Sequence, residues 1–98
     1  MEVDPALVRA CQRGEDGALD ALIRATYADV YALSRRMLAD PDEAADATQE
    51  VFVRVMRSVL GFRGESTFGT WLHRVTVNVC LTALARPDER RIDVHLPI

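Results

Sequence analysis

The sequence has no lysine; all 12 of its basic residues are arginine, and a GC-rich coding sequence is enough to account for that. Cysteine is scarce as well. The two present, Cys11 and Cys80, form no Cys-x-x-Cys pair, and only His73 and His95 could join them on a metal. Two buried, reduced thiols are therefore expected. No apolar run nears the roughly 18 residues that span a bilayer. The start, Met1-Glu2-Val3-Asp4-Pro5, lacks the basic and then apolar profile of a signal peptide, so a cytoplasmic location is expected. Glycine-rich phosphate loops, HExxH and GxSxG are all missing. Nothing here points to catalysis, and neither a cofactor nor a metal is expected.

The remaining composition is that of one small soluble domain: 98 residues, 49% of them hydrophobic and 28% charged, which suits a single helical core. The charge is unevenly placed. Residues 1–50 hold 11 acids and 5 arginines, a net of −6, whereas residues 51–98 hold 7 arginines and 4 acids, a net of +3. The basic second half can meet nucleic acid even though the whole chain is acidic.

Apolar spacing is helical nearly throughout and predicts four helices. Asp4 caps a short first helix with Pro5 at its first position, and Gly14 ends it. The second runs from about Asp16 to Leu38, with Leu19, Ile23, Thr26, Val30, Leu33 and Met37 as its inner stripe. Asp40-Pro41 opens the third, and Glu43 stands at the capping-box position. Its inner face is Ala45, Thr48, Phe52, Val55, Met56 and Val59, and Gly61 closes it. A short loop over 61–66 leads to a fourth helix, capped by Ser66 or Thr67 and stopped at Pro87. Phe68, Leu72, Val75 and Val79 form its inner stripe. The expected fold class is all-α, a compact four-helix bundle-like domain over 1–86 with a tail over 87–98.

Three features carry possible chemistry. Asp42, Glu43, Asp46 and Glu50 crowd the third helix, but no Glu-x-x-His partner exists elsewhere. A solvated or partner-facing acidic surface is expected rather than a metal site. On the fourth helix Thr67, Thr70, Trp71, Arg74, Asn78, Thr82 and Arg86 recur at three- and four-residue steps and share one side. An aromatic ring, guanidinium groups, an amide and hydroxyls are suited to nucleic acid; the alternative is the solvated face of an amphipathic helix in a plain protein-interaction module. Val77, Cys80, Leu81 and Leu84 make the second half of that helix apolar around much of its girth, which calls for cover from other helices or a partner. In the loop, Phe62, Arg63 and Gly64 offer stacking, charge and close backbone approach, or else Phe62 simply plugs the core.

The run Asp46-Ala47-Thr48-Gln49-Glu50-Val51-Phe52-Val53-Arg54, followed by Phe62-Arg63-Gly64-Glu65-Ser66-Thr67-Phe68-Gly69-Thr70-Trp71-Leu72-His73-Arg74-Val75, resembles region 2 of extracytoplasmic-function (ECF) sigma factors. Asn78 falls at the family's asparagine. The resemblance implies a transcription-initiation domain that grips the β′ clamp helices of core RNA polymerase through Asp46, Gln49, Glu50, Val53 and Arg57, with Arg35 and Arg36 contributing. It also implies that the promoter minus-ten element is read as unpaired non-template strand. A flipped base would sit among Phe62, Arg63 and Gly64. Trp71 and Asn78 would meet bases or backbone, and Arg74 and Arg86 would hold phosphates. An anti-sigma factor is an implied partner, suited to the apolar surface at Val77, Leu81 and Leu84. The chain departs from the pattern in having few basic residues near Thr82, where Arg90 and Arg91 are the nearest substitutes. Nothing in it resembles region 4, so 87–98 is expected to begin an inter-domain linker.

Overall fold

Two Asp-Pro pairs start two of the helices, and both work in the same way. The computed structural model describes residues 1–86, so the linker expected over 87–98, with Arg90 and Arg91, lies outside the described residues. The Asp4 carboxylate accepts from the Ala6 N–H at 2.9 Å and opens α1, Pro5–Gln12. The Asp40 carboxylate accepts from the Asp42 N–H at 2.8 Å and opens α3, Pro41–Ser58. In each the proline occupies a position whose N–H would have had no partner in the helix. The Thr67 hydroxyl accepts from the Thr70 N–H at 3.1 Å and starts α4, Phe68–Ala85. The helix expected from Asp16 begins slightly later: α2 is Ala18–Met37. At its end the Arg35 guanidinium donates to the carbonyls of Leu38 and Ala39, the latter at 2.6 Å. A basic side chain of the last turn thereby meets carbonyls of the chain as it leaves the helix. A 3-10 turn, Val59–Gly61, extends α3 into the loop.

α2, α3 and α4 pack against one another, and α1 lies against α2 and the 3-10 turn. The described residues contain no strand, and the fold is the all-α, four-helix class that the spacing predicts. Leu22, Val30, Val51, Val55 and Leu72 are wholly buried, and each contributes about 1.5–3 kcal/mol of apolar burial. Thr26, Thr48 and Thr76, one on each of the three large helices, are wholly buried too. Their hydroxyls donate to the carbonyls of Leu22, Ala44 and Leu72, each at 2.8 Å and one turn back. Each small polar side chain thus meets its hydrogen-bonding need on its own helix and leaves the neighbouring helix free to approach.

The buried stripe of α2 differs from the expected one. It runs through Ala18, Leu22, Thr26, Val30 and Ser34, while Leu19, Ile23, Leu33 and Met37 are only half-buried along its flanks. Ala18, Thr26 and Ser34 alternate with Leu22 and Val30 along the seam, and further large residues close its edges. Similar shifts occur elsewhere: Ala44, Ala47 and Val51 join the inner face of α3, whereas Met56 is exposed. On α4, Thr76 is wholly buried and Val75 is not.

Candidate nucleic-acid interface

The loop between the 3-10 turn and α4 is fixed from three sides. Gly64 has φ +76°, a left-handed conformation that a side chain would strain. The Phe62 ring meets Phe68 edge-on at 5.3 Å between centroids and Trp71 at 5.8 Å; Phe68 and Trp71 are 5.2 Å apart. Phe62 is half-buried and Phe68 buried, so Phe62 does plug the edge of the core. On the third side, the Gln12 side-chain amide donates to the carbonyls of Val59 at 3.0 Å and Phe62 at 2.7 Å. The end of α1 therefore pins both ends of the segment that carries Phe62.

Between this loop and α1 lies a cleft of about 430 Å³, a volume suited to small planar ligands. Arg9 and Gln12 form part of one wall, and Phe62, Arg63, Gly64 and Phe68 part of the other. The structure thus brings Phe62, Arg63 and Gly64 together in one recess. The half-buried Trp71 adjoins it through its ring contacts with Phe62 and Phe68. From there Thr70, Arg74, Asn78 and Thr82 are exposed along α4, rising about 18 Å at 1.5 Å per residue and turning about 40° around the axis at each step of four, and the exposed Arg86 follows as the C-cap in extended backbone. This stretch offers guanidinium, amide and hydroxyl groups to solvent, as a nucleic-acid surface does.

Asp46, Gln49, Glu50 and Arg57 are exposed and Val53 is half-buried, so these five share an accessible face of α3. Glu50 also pairs with Arg54 at 3.1 Å. Arg36 is exposed, while Arg35 is engaged at the end of α2 as described. Leu81 and Leu84 are 53% and 44% exposed, whereas Cys80 is fully buried beside the Ser34 hydroxyl. The apolar excess of α4 is therefore partly core and partly open surface. Both cysteines are free and buried, as expected. Burial raises the Cys11 thiol above its ordinary 9.0, against a smaller lowering by a backbone hydrogen bond. Among the described residues no three His, Cys, Asp or Glu side chains gather as a metal site. None of the described helices is long and apolar enough to cross a membrane.

The sequence reading missed the part that α1 plays in the cleft. The spacing of Gln12 four residues after Val8 puts an amide in line with an apolar position of α1, but it does not name the loop carbonyls that the amide meets.

A family model described as sigma-70 region 2 matches residues 22–91. The chain belongs to the sigma-70 region 2 family. Its similarity to ECF members is spread along the region 2 fold. It is 36% identical over 92 residues to the RNA polymerase sigma-H factor of Pseudomonas aeruginosa, covering 94% of this chain and 48% of that protein. It is 40% identical over 87 residues to the ECF RNA polymerase sigma-E factor of Haemophilus influenzae, covering 89% and 46%. The chain spans about half the length of the curated relatives it matches. Among solved structures it is similar to an engineered region 2 of sigmaE in complex with GTAAAA, with a TM-score of 0.75 and 30% identity over 85% of this chain and 86% of that one. The α1 helix precedes the residues matched by the region 2 model.

Proposed function

We propose that this region 2 domain binds core RNA polymerase and holds the minus-ten element of a promoter as unpaired non-template strand. The observation that carries this reading is the continuity of two features: the cleft at Phe62, Arg63 and Gly64, and the exposed stripe of Trp71, Arg74, Asn78 and Arg86. The similar engineered sigmaE region 2 was solved in complex with GTAAAA, a sequence that is not self-complementary, which supports an unpaired strand as the ligand. Separating a duplex costs stacking and pairing energy, so a domain that favours the open form must hold extruded bases better than paired ones. Phe62 and Trp71 supply ring surfaces, Arg74 and Arg86 charge for phosphates, and Asn78 an amide for a base edge or the backbone. The domain acts by binding rather than by catalysis. Asp46, Gln49, Glu50, Val53 and Arg57 are the proposed contact with the β′ clamp helices. The exposed Leu81 and Leu84 favour a further protein contact, for which an anti-sigma factor is the proposed partner.

Fluorescence anisotropy with labelled oligonucleotides tests the DNA reading. Single-stranded minus-ten sequences should bind more tightly than the same sequences as duplex. A pull-down with isolated β′ clamp helices should retain the domain. Equal binding of duplex and single strand together with no retention by the clamp helices would leave a helical protein-interaction module as the better description.

A further inference from the structure

Gln12 holds an arrangement with a consequence for which base the cleft accepts. A side-chain amide has two N–H donors and one carbonyl acceptor. Both donors are directed at protein carbonyls, those of Val59 and Phe62. Two carbonyl oxygens can be met only by the nitrogen, so the amide cannot be flipped. The polar capacity left to Gln12 is the acceptor Oε1, on a side chain that lines the cleft. Its position is set by two hydrogen bonds that span 47 and 50 residues of sequence, so it is held before any ligand arrives.

Bases differ in the group they show to such an acceptor. Adenine and cytosine carry an exocyclic amine, a donor, where guanine and thymine carry a carbonyl oxygen. A fixed acceptor in a recess favours the first pair. It opposes the second, because a carbonyl placed against it would lose its water and gain no hydrogen bond. We propose that Gln12 is a specificity-determining residue of the cleft, which selects a captured base with an exocyclic amine over one with a carbonyl at that position. This rests on the single-strand reading above and assigns a recognition role to α1, outside residues 22–91.

The test uses the 98-residue chain and single-stranded hexamers derived from GTAAAA, with all four bases placed at each position in turn. At one position adenine and cytosine should bind about tenfold more tightly than guanine and thymine, the discrimination expected of one well-placed hydrogen bond against one unmet acceptor. Purine and 2-pyrimidinone, which lack the amine of adenine and cytosine, should lose that advantage on the unaltered protein. Gln12→Met should abolish the preference. Gln12→Lys keeps donors for the two loop carbonyls but removes the acceptor, and should shift preference toward guanine and thymine. Circular dichroism confirms that each variant is folded; if neither folds, the two base analogues decide the matter alone. Binding with no amine-dependent step at any position would overturn the proposal, as would a Gln12→Met loss equal for all four bases, which would mean that Gln12 only pins the loop. Absence of binding to every oligonucleotide would instead overturn the single-strand reading itself.

Discussion

At position 64 the cost of a side chain comes from the backbone alone. A Cβ built there meets nothing within 4 Å, but φ is +76°. Gly64→Ala is therefore expected to lose about 1–2 kcal/mol of stability, from the left-handed conformation rather than from a clash. Urea denaturation followed by circular dichroism measures it, and an unchanged midpoint would mean that the loop relaxes to a negative φ. Cys11 gives a second prediction at this scale. Its thiol is raised in the folded state by burial, so in the window above 9.0 the unfolded chain releases its proton first. The unfolded state then binds fewer protons than the folded one, and stability falls as pH rises. The stabilising share of Cys11 is complete below the ordinary thiol range and is lost as pH climbs through the raised value. Denaturation at pH 7 and pH 10, compared between wild type and Cys11→Ala, should show a smaller alkaline loss in the variant.

On α4 the exposed polar side chains are expected to divide their work. Arg74→Ala should weaken binding of all single strands by a similar factor and lower the salt slope by about 0.7, the value for one phosphate contact on a single strand. Asn78→Ala should reduce the preference among sequences more than the total affinity. Titrations at several salt concentrations measure both; equal losses of preference in the two variants would contradict these roles. The helices themselves were legible because their start signals are local: Asp4-Pro5, Asp40-Pro41 and Thr67 each act within three residues. The inner face of α2 was not. Apolar spacing gives weight to large side chains, and Leu19, Ile23, Leu33 and Met37 are large. Close packing kept the expected Thr26 and Val30 at the seam and added Ala18, Leu22 and Ser34; at Ala18 and Ser34 bulk would hold the helices apart. The loop and the α4 stripe could be read as candidates from residue type and spacing. The tie from Gln12 to the loop could not, because it joins α1 to residues 47 and 50 positions away, and no local pattern encodes such a contact.

Across the whole molecule, charge and surface suggest two separate duties. The acidic first half includes Asp46 and Glu50 on the exposed face of α3, and the basic second half includes the cleft loop and α4. Complementary fields steer partners to their own faces and deter the wrong ones. Asp46→Arg should thus weaken binding to the β′ clamp helices by about tenfold, in keeping with the cost of like charges brought together. It should leave oligonucleotide affinity nearly unchanged. As an exposed site it should also alter stability by no more than about 0.5 kcal/mol. Parallel measurements on clamp helices and on single-stranded DNA check the pair. A joint loss would mean that the two faces are energetically one.

The N-terminal residue bears on how such measurements can be made. Met1 lies against Gly69 in the first turn of α4, where a Cβ would collide with the Met1 carbonyl. Val3 and Thr67 border both that contact and the cleft. These 98 residues hold no lysine, so in a preparation made to start at Met1 and end at Ile98 the α-amine is the single primary amine. An amine-reactive dye would label the protein once, at the rim of the proposed strand-binding recess, and so place an optical reporter beside the site without any mutation.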